Sequence, residues 1–153
     1  MRVWFLSLAA GVLLAAASTS PVWSQASMTN PVGLWRTVDD KTGEVRGAVR
    51  LFENNGTIYG RIEQILDPKA INQVCVKCSG DRHNKPILGL DVIRGVRPDG
   101  PGYWNGGQIL DPETGDDYRV SLRLDDGGRK LIVRGSILGG MIGRSQTWVR
   151  ASP

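Results

Sequence analysis

A chain of 153 residues with a formal net charge of +4 at pH 7, one histidine and two cysteines leaves little room for metal or acid–base machinery. Its arginines stand singly along the chain, whereas a nucleic-acid footprint would be a run or a one-sided patch, so nucleic acid is not an expected partner. No acid, base and nucleophile set is visible, so no catalytic residue is assigned and hydrolase or transferase chemistry is not expected.

The first 26 residues read as a signal segment. Arg2 supplies the positive start, residues 3–17 are apolar apart from Ser7 and Gly11, and Ser24-Gln25-Ala26 puts small residues where a signal peptidase needs them. The apolar run is short for the ~30 Å of hydrocarbon in a bilayer, and no cysteine follows it for lipid attachment. The expectation is a cleaved, exported chain, periplasmic or secreted and not membrane-spanning after cleavage. Residues 27–153 then form a single domain.

From residue 40 onward, turn signals alternate with runs of period 2. Lys41-Thr42-Gly43, Asn54-Asn55-Gly56, Pro98-Asp99-Gly100, Glu113-Thr114-Gly115 and Asp126-Gly127-Gly128 each supply a residue able to take φ > 0. Between and around them, strands are predicted over residues 33–38, 45–51, 58–64, 88–96, 103–110, 116–124, 131–137 and 142–149. The pattern is cleanest where Tyr118, Val120, Leu122 and Leu124 face one way while Arg119, Ser121 and Arg123 face the other. Short connections, long strands and the need to remove open edges favour an all-β, small eight-stranded antiparallel up-and-down barrel. A sandwich with a Greek-key crossover is the alternative. Glycines inside strands (Gly47, Gly60, Gly95, Gly106, Gly107, Gly135) suit the bends of a small barrel.

Gln64-Ile65-Leu66-Asp67-Pro68 recurs as Gln108-Ile109-Leu110-Asp111-Pro112; in both, a strand runs into a proline that ends the ladder. The one long connection, residues 67–86, carries both cysteines and the histidine, and loops of that length often bind or cover something. In an exported chain Cys75-Val76-Lys77-Cys78 most simply forms a local disulfide. Redox activity is an alternative, although a reactive thiol normally sits at a helix N-terminus and Ser79-Gly80 follows here. Zinc is a weaker one, since it needs more ligands than Cys75, Cys78 and His83 provide. A c-type haem needs His where Ser79 stands. No cofactor and no metal site are assigned. The doublets Asp39/Asp40, Asp116/Asp117 and Asp125/Asp126 lie at turns and read as turn chemistry.

Gly33-x-Trp35 opens the first strand and Trp148-x-Arg150 closes the last. In a closed barrel these strands are neighbours, so an arginine of the closing strand can stack on Trp35 and seal one end. If Arg134, Arg144 or Arg150 faces inward, it can hold an acidic head group. The candidate ligand-contacting residues are Trp35, Tyr59, Trp104, Arg134, Arg144, Trp148 and Arg150. The ligand expected is small and apolar, or acidic and amphipathic. The rival expectation is an envelope redox or protein-interaction module whose partner meets the 67–86 loop.

The pairing of Gly33-x-Trp35 with Arg150 resembles the lipocalin signature. More of the chain resembles a bacterial secreted family known as domain of unknown function 2147. The resemblance runs through Gly33-Leu34-Trp35-Arg36-Thr37, Asp40-Lys41-Thr42-Gly43, Ile58-Tyr59-Gly60-Arg61-Ile62, Cys75-x-x-Cys78 with Gly80, and Pro86-Ile87-Leu88-Gly89-Leu90. It continues in Trp104-x-Gly106-Gly107-x-Ile109-Leu110-Asp111-Pro112-x-Thr114-Gly115, Leu131-x-Val133-Arg134-Gly135 and Gly143-Arg144-Ser145-Gln146-Thr147-Trp148-x-Arg150. The resemblance implies a small lipocalin-like barrel and an exported location, and it implies no activity.

Overall fold

The structure, a computed structural model, describes residues 29–151; the expected signal segment lies outside them. Eight strands follow one another: β1 (Gly33–Val38), β2 (Val45–Asn54), β3 (Thr57–Ile65), β4 (Asp91–Pro98), β5 (Tyr103–Leu110), β6 (Asp117–Asp125), β7 (Lys130–Ile137) and β8 (Ile142–Arg150). They pair antiparallel in chain order and close into a barrel, β1 to β8, which excludes the sandwich. The turns expected from Asn/Asp-Gly pairs form as such, with Asn55, Asp126, Gly43, Gly56, Gly115 and Gly127 all at positive φ. Some strand bounds shift by one to three residues, most at the end of β2, which runs on to Asn54 rather than residue 51, and at the start of β4. Strand β4 begins at Asp91 rather than residue 88, because Gly89 takes φ 86° and Leu90 N–H bonds back to the Ile87 carbonyl at 3.1 Å.

The Asp-Pro echo is a shared turn chemistry. The Lys69 N–H donates to Asp67 Oδ1 and the Glu113 N–H to Asp111 Oδ1, both at 2.9 Å. Lys41 N–H does the same to Asp39 Oδ1 at 2.9 Å. Each aspartate thus turns the chain at the same end of the barrel.

The inward rows interdigitate. Trp35, Leu51, Ile58, Ile93, Val96, Val120, Leu122 and Leu131 have essentially no accessible surface, so they touch neither solvent nor a void able to hold water. Glycines make room for them. A Cβ on Gly60 would lie 2.9 Å from Leu51 Cδ2 and 3.0 Å from Ile93 Cβ, and one on Gly107 would lie 2.5 Å from Val96 Cγ2. Among the described residues no helix is long and apolar enough to cross a membrane.

Candidate functional site

The barrel has a sealed end and an open one. At the sealed end the Arg150 guanidinium lies 4.2 Å above the Trp35 ring centre. Its Nε donates to the Gly128 carbonyl at 2.8 Å, Nη1 to Val32 at 3.0 Å and Nη2 to Asn30 at 2.8 Å. Trp35 Nε1 donates to the Pro31 carbonyl at 2.7 Å. Partial burial pulls the Arg150 pKa down from its ordinary value, because desolvation disfavours the charged form. The guanidinium is committed to three carbonyls and a ring, so its role here is to seal the barrel.

Above this seal stand the other two inward tryptophans, both buried: Trp104, cross-strand from the inward Leu122, and Trp148, whose Nε1 donates to Gln146 Oε1 at 3.1 Å. The three tryptophans belong to a filled floor. Next along the same inward rows the character changes. Ile62, Ile65, Ile109, Tyr118 and Gln146 are all half-buried, although the alternation points them at the axis. Gly135 confirms the convergence, since a Cβ there would meet Ile109 Cγ2 and Tyr118 Cβ, each at 3.6 Å. The open end is therefore a shallow cup with an apolar wall, a phenol and an amide.

The cup also opens sideways. Strands β1 and β8 pair at two positions, Trp35 with Arg150 and Arg36 with Val149. Beyond these, Thr37 and Val38 bond to β2 while residues 142–148 bond to β7, so the seam parts toward the mouth. Arg144 spans it, with Nε and Nη2 donating to Asp40 Oδ2 at 3.2 and 2.9 Å. Beside it, Asp39 is held below its ordinary pKa by the N–H groups of Thr42 and Lys41.

Two of the seven candidate residues face away from the lumen. Tyr59 stacks on Phe52, ring centres 5.7 Å apart, and Arg61 lies over the same Phe52 at 5.3 Å, all on the outer wall. Arg134 also faces out, with its guanidinium 2.9 Å from where a Gly143 Cβ would stand. Their position follows from the alternation, because Ile58 and Gly60 flank Tyr59 and Val133 precedes Arg134 on the buried rows. The structure brings Arg144 to the cup's rim and leaves Trp35, Trp104, Trp148 and Arg150 below it. The residues of the cup wall, Ile62, Ile109, Tyr118 and Gln146, were not among the candidates. Their signal was the alternation itself, which marks them inward.

The long connection, residues 66–90, lies against the outside of the barrel. Val92 and Leu110 are buried on the face opposite the lumen-facing pair Ile93 and Ile109, and Cys75, Cys78 and Leu90 belong to the same apolar cluster. Ion pairs clamp the connection there, Arg82 to Asp117 at 2.5 Å and Arg94 to Asp81 at 2.8 Å. Cys75 and Cys78 form a disulfide, with Cα atoms 5.3 Å apart, and Cys75 is 0% exposed. The His83 ring nitrogen Nδ1 lies 2.8 Å from the Cys78 carbonyl oxygen. A bridge between Val74 and Pro86 folds the connection into a small hairpin.

The model of a family described as an uncharacterised protein conserved in bacteria (DUF2147) matches residues 33–150. Among solved structures, protein HP1028 of Helicobacter pylori, described as belonging to the lipocalin family, superposes with a TM-score of 0.70. It is 21% identical, and the match covers 81% of this chain and 84% of that one. This likeness is one of fold. No curated protein sequence matches the chain at a significant level.

Proposed function

The chain belongs to this family of uncharacterised bacterial proteins, and from that premise and the geometry of the mouth we propose that it is an exported, non-enzymatic binding module for a small apolar or amphipathic ligand. One observation carries the reading: inward residues that are sealed at the floor become half-exposed and apolar at Ile62, Ile65, Ile109 and Tyr118. Apolar surface held open inside a barrel rim is what a small ligand covers. Its apolar part rests on the isoleucines and Tyr118, and its polar end meets Gln146 and Arg144. Export is supported by the N-terminal sequence pattern and by a disulfide, which persists in oxidising compartments. The burial of both sulfurs favours a structural staple over the redox reading.

The test is native mass spectrometry of the protein purified gently from its own host, beside a Gly135→Val variant. The variant fills the cup, since a Cβ at 135 meets its neighbours at ordinary contact distance. An added mass that disappears on denaturation and is missing from the variant supports the reading. A bare chain, or an adduct indifferent to Gly135→Val, overturns it.

A further inference from the structure

The outward arginines divide into two populations. Four on β2, β3 and β4 meet carboxylates, Arg46 with Asp39, Arg50 with Glu63, Arg61 with Asp91, and Arg94 with Asp81, while Arg36 on β1 and Arg97 near the end of β4 stand singly. On β6 and β7, Arg119, Arg123 and Arg134 have no carboxylate partner among the described residues. Register brings them together: Arg134 stands opposite Ser121, between Arg119 and Arg123, and such diagonal neighbours lie about 7–8 Å apart. Acids stand only at the two ends of this wall, Asp117, which is held by Arg82, and Asp125, which lies opposite Lys130; between them the outward side chains, from Tyr103 and Asn105 through Ser121 to Ser136, Ser145 and Thr147, carry none. Like charges so close, none of them in an ion pair among the described residues, repel one another, and an external anion relieves that repulsion. Arg119, Arg134 and Ser136 also line a depression of about 230 Å³ on this wall, together with Gly139 and Gly140 of the next turn.

That turn, between β7 and β8, is unlike the others. Its sequence is Ile137-Leu138-Gly139-Gly140-Met141-Ile142, with no Asn or Asp. Leu138 sits at φ 51°, whereas the other non-glycine residues at positive φ among the described residues are Asn55, Asn84 and Asp126. A bulky apolar residue is costly there. Its side chain is spent on solvent: Leu138 is 68% exposed, Met141 86% and Ile142 57%. An apolar tip beside an unneutralised basic wall has two chemistries to satisfy at once.

The geometry points to an anionic phospholipid surface as the occupant. The β7–β8 tip enters the headgroup region through Leu138 and Met141, while Arg119, Arg123 and Arg134 lie over lipid phosphates. Charge complementarity selects this occupant over a second copy of the chain, which would bring the same basic wall against itself. The inference does not depend on the cup holding a ligand, although docking by this tip places the cup's rim at the lipid surface.

Flotation with vesicles tests it, using residues 27–153, which contain the whole barrel. Vesicles of phosphatidylcholine with about one-third phosphatidylglycerol are compared with phosphatidylcholine alone, at low and high salt. The expected result is binding to the anionic vesicles at low salt, weakened at high salt by screening and weak on neutral vesicles. Arg119→Gln with Arg134→Gln should weaken binding about fivefold per arginine, about twenty-fivefold together. Leu138→Asn with Met141→Ser should weaken it about tenfold or more, and asparagine tolerates the positive φ, so the turn is kept. Circular dichroism checks that both variants fold. No binding to either vesicle, equal binding to neutral vesicles, or full binding by either folded double variant overturns the inference. So does a Met141-dependent dimer in sedimentation without vesicle binding.

Discussion

Replacing Arg150 by alanine should remove the seal at the closed end and little else. The guanidinium makes three hydrogen bonds to carbonyls, of Gly128, Val32 and Asn30, and covers the Trp35 ring at 4.2 Å. A hydrogen bond from a charged group is worth about 1.5–3 kcal/mol when its partner is left dry. Only the Gly128 end is buried; Asn30 and Val32 are exposed, and water replaces most of what is lost there. Counting the Gly128 bond in full, the ring contact at ~1 kcal/mol and a few tenths for each exposed carbonyl gives a loss of about 3–4 kcal/mol. In a domain of this size that is a fall in Tm of roughly 12–16 °C. Arg150→Lys keeps the charge but not the fork, and should lose about half as much. Urea unfolding followed by tryptophan fluorescence and circular dichroism measures this, with the m value required to stay constant. An Arg150→Ala protein within 1 kcal/mol of wild type at the same m would refute the assignment of Arg150 as the seal.

Glycine substitutions should separate floor from cup. Gly107→Ala puts a Cβ 2.5 Å from the Arg94 carbonyl oxygen and should cost about 3 kcal/mol or fail to fold, while Gly135→Ala should be neutral or stabilising by up to ~1 kcal/mol; thermal melts that rank the two the other way contradict the facing assigned here. Removing the staple with Cys75→Ala and Cys78→Ala should cost about 2 kcal/mol on the loop-entropy estimate and loosen residues 66–90 without opening the barrel, as hydrogen exchange would report. Arg144→Ala cuts an exposed pair with Asp40 and should change stability by less than ~1 kcal/mol, so a larger loss in urea would give the seam clasp more weight than its exposure allows. Asp39, Asp81 and Asp126 are held below the ordinary aspartate value, by the Thr42 and Lys41 N–H groups, by Arg94 and by Arg129 respectively. A depressed folded-state pKa contributes stability that is present above the unfolded value near ~3.9 and lost as pH falls through the folded value. The urea midpoint should therefore hold from pH 7 to 5 and drop below about pH 4, less so in Asp39→Asn; a flat profile down to pH 2.5 would contradict it.

The barrel was legible because two independent signals agree in this sequence. Asn/Asp-Gly turns mark where hairpins bend, and rows such as Tyr118, Val120, Leu122 and Leu124 mark which face is buried. The stacking of Arg150 on Trp35 was likewise readable, once closure makes the first and last strands neighbours. Tyr59 was expected at the lumen and faces the outer wall, because Ile58 and Gly60 flank it on the inward row that continues to Ile62; Gly60, with no side chain, disguised that row as irregular. Arg134 follows inward Val133 and faces out for the same reason. The docking of residues 66–90 on the outer wall left a trace in the adjacent apolar pairs Val92-Ile93 and Ile109-Leu110, since a strand buried on both faces loses its alternation. What local sequence does not carry is the gathering of arginines. Arg119 and Arg134 look dispersed along the chain and become neighbours only through the β6–β7 register.

The filled floor also limits what the open end can take. From Trp148 to Arg144 is four residues along β8, about 13 Å of strand, or about 10 Å along the axis at the tilt usual for small barrels. A long apolar ligand would therefore stand partly outside the barrel and need a second apolar surface for its remainder. The exposed residues around the rim, Val45, Leu66, Ile137 and Ile142, offer only scattered cover. A short ligand fits the cup alone. A long one is held only where the β7–β8 tip keeps the mouth against lipid. Comparing adducts from protein washed free of membrane with those from protein kept on vesicles would separate the two. If long acyl ligands survive equally in both, the floor cannot be as high as Trp148 places it.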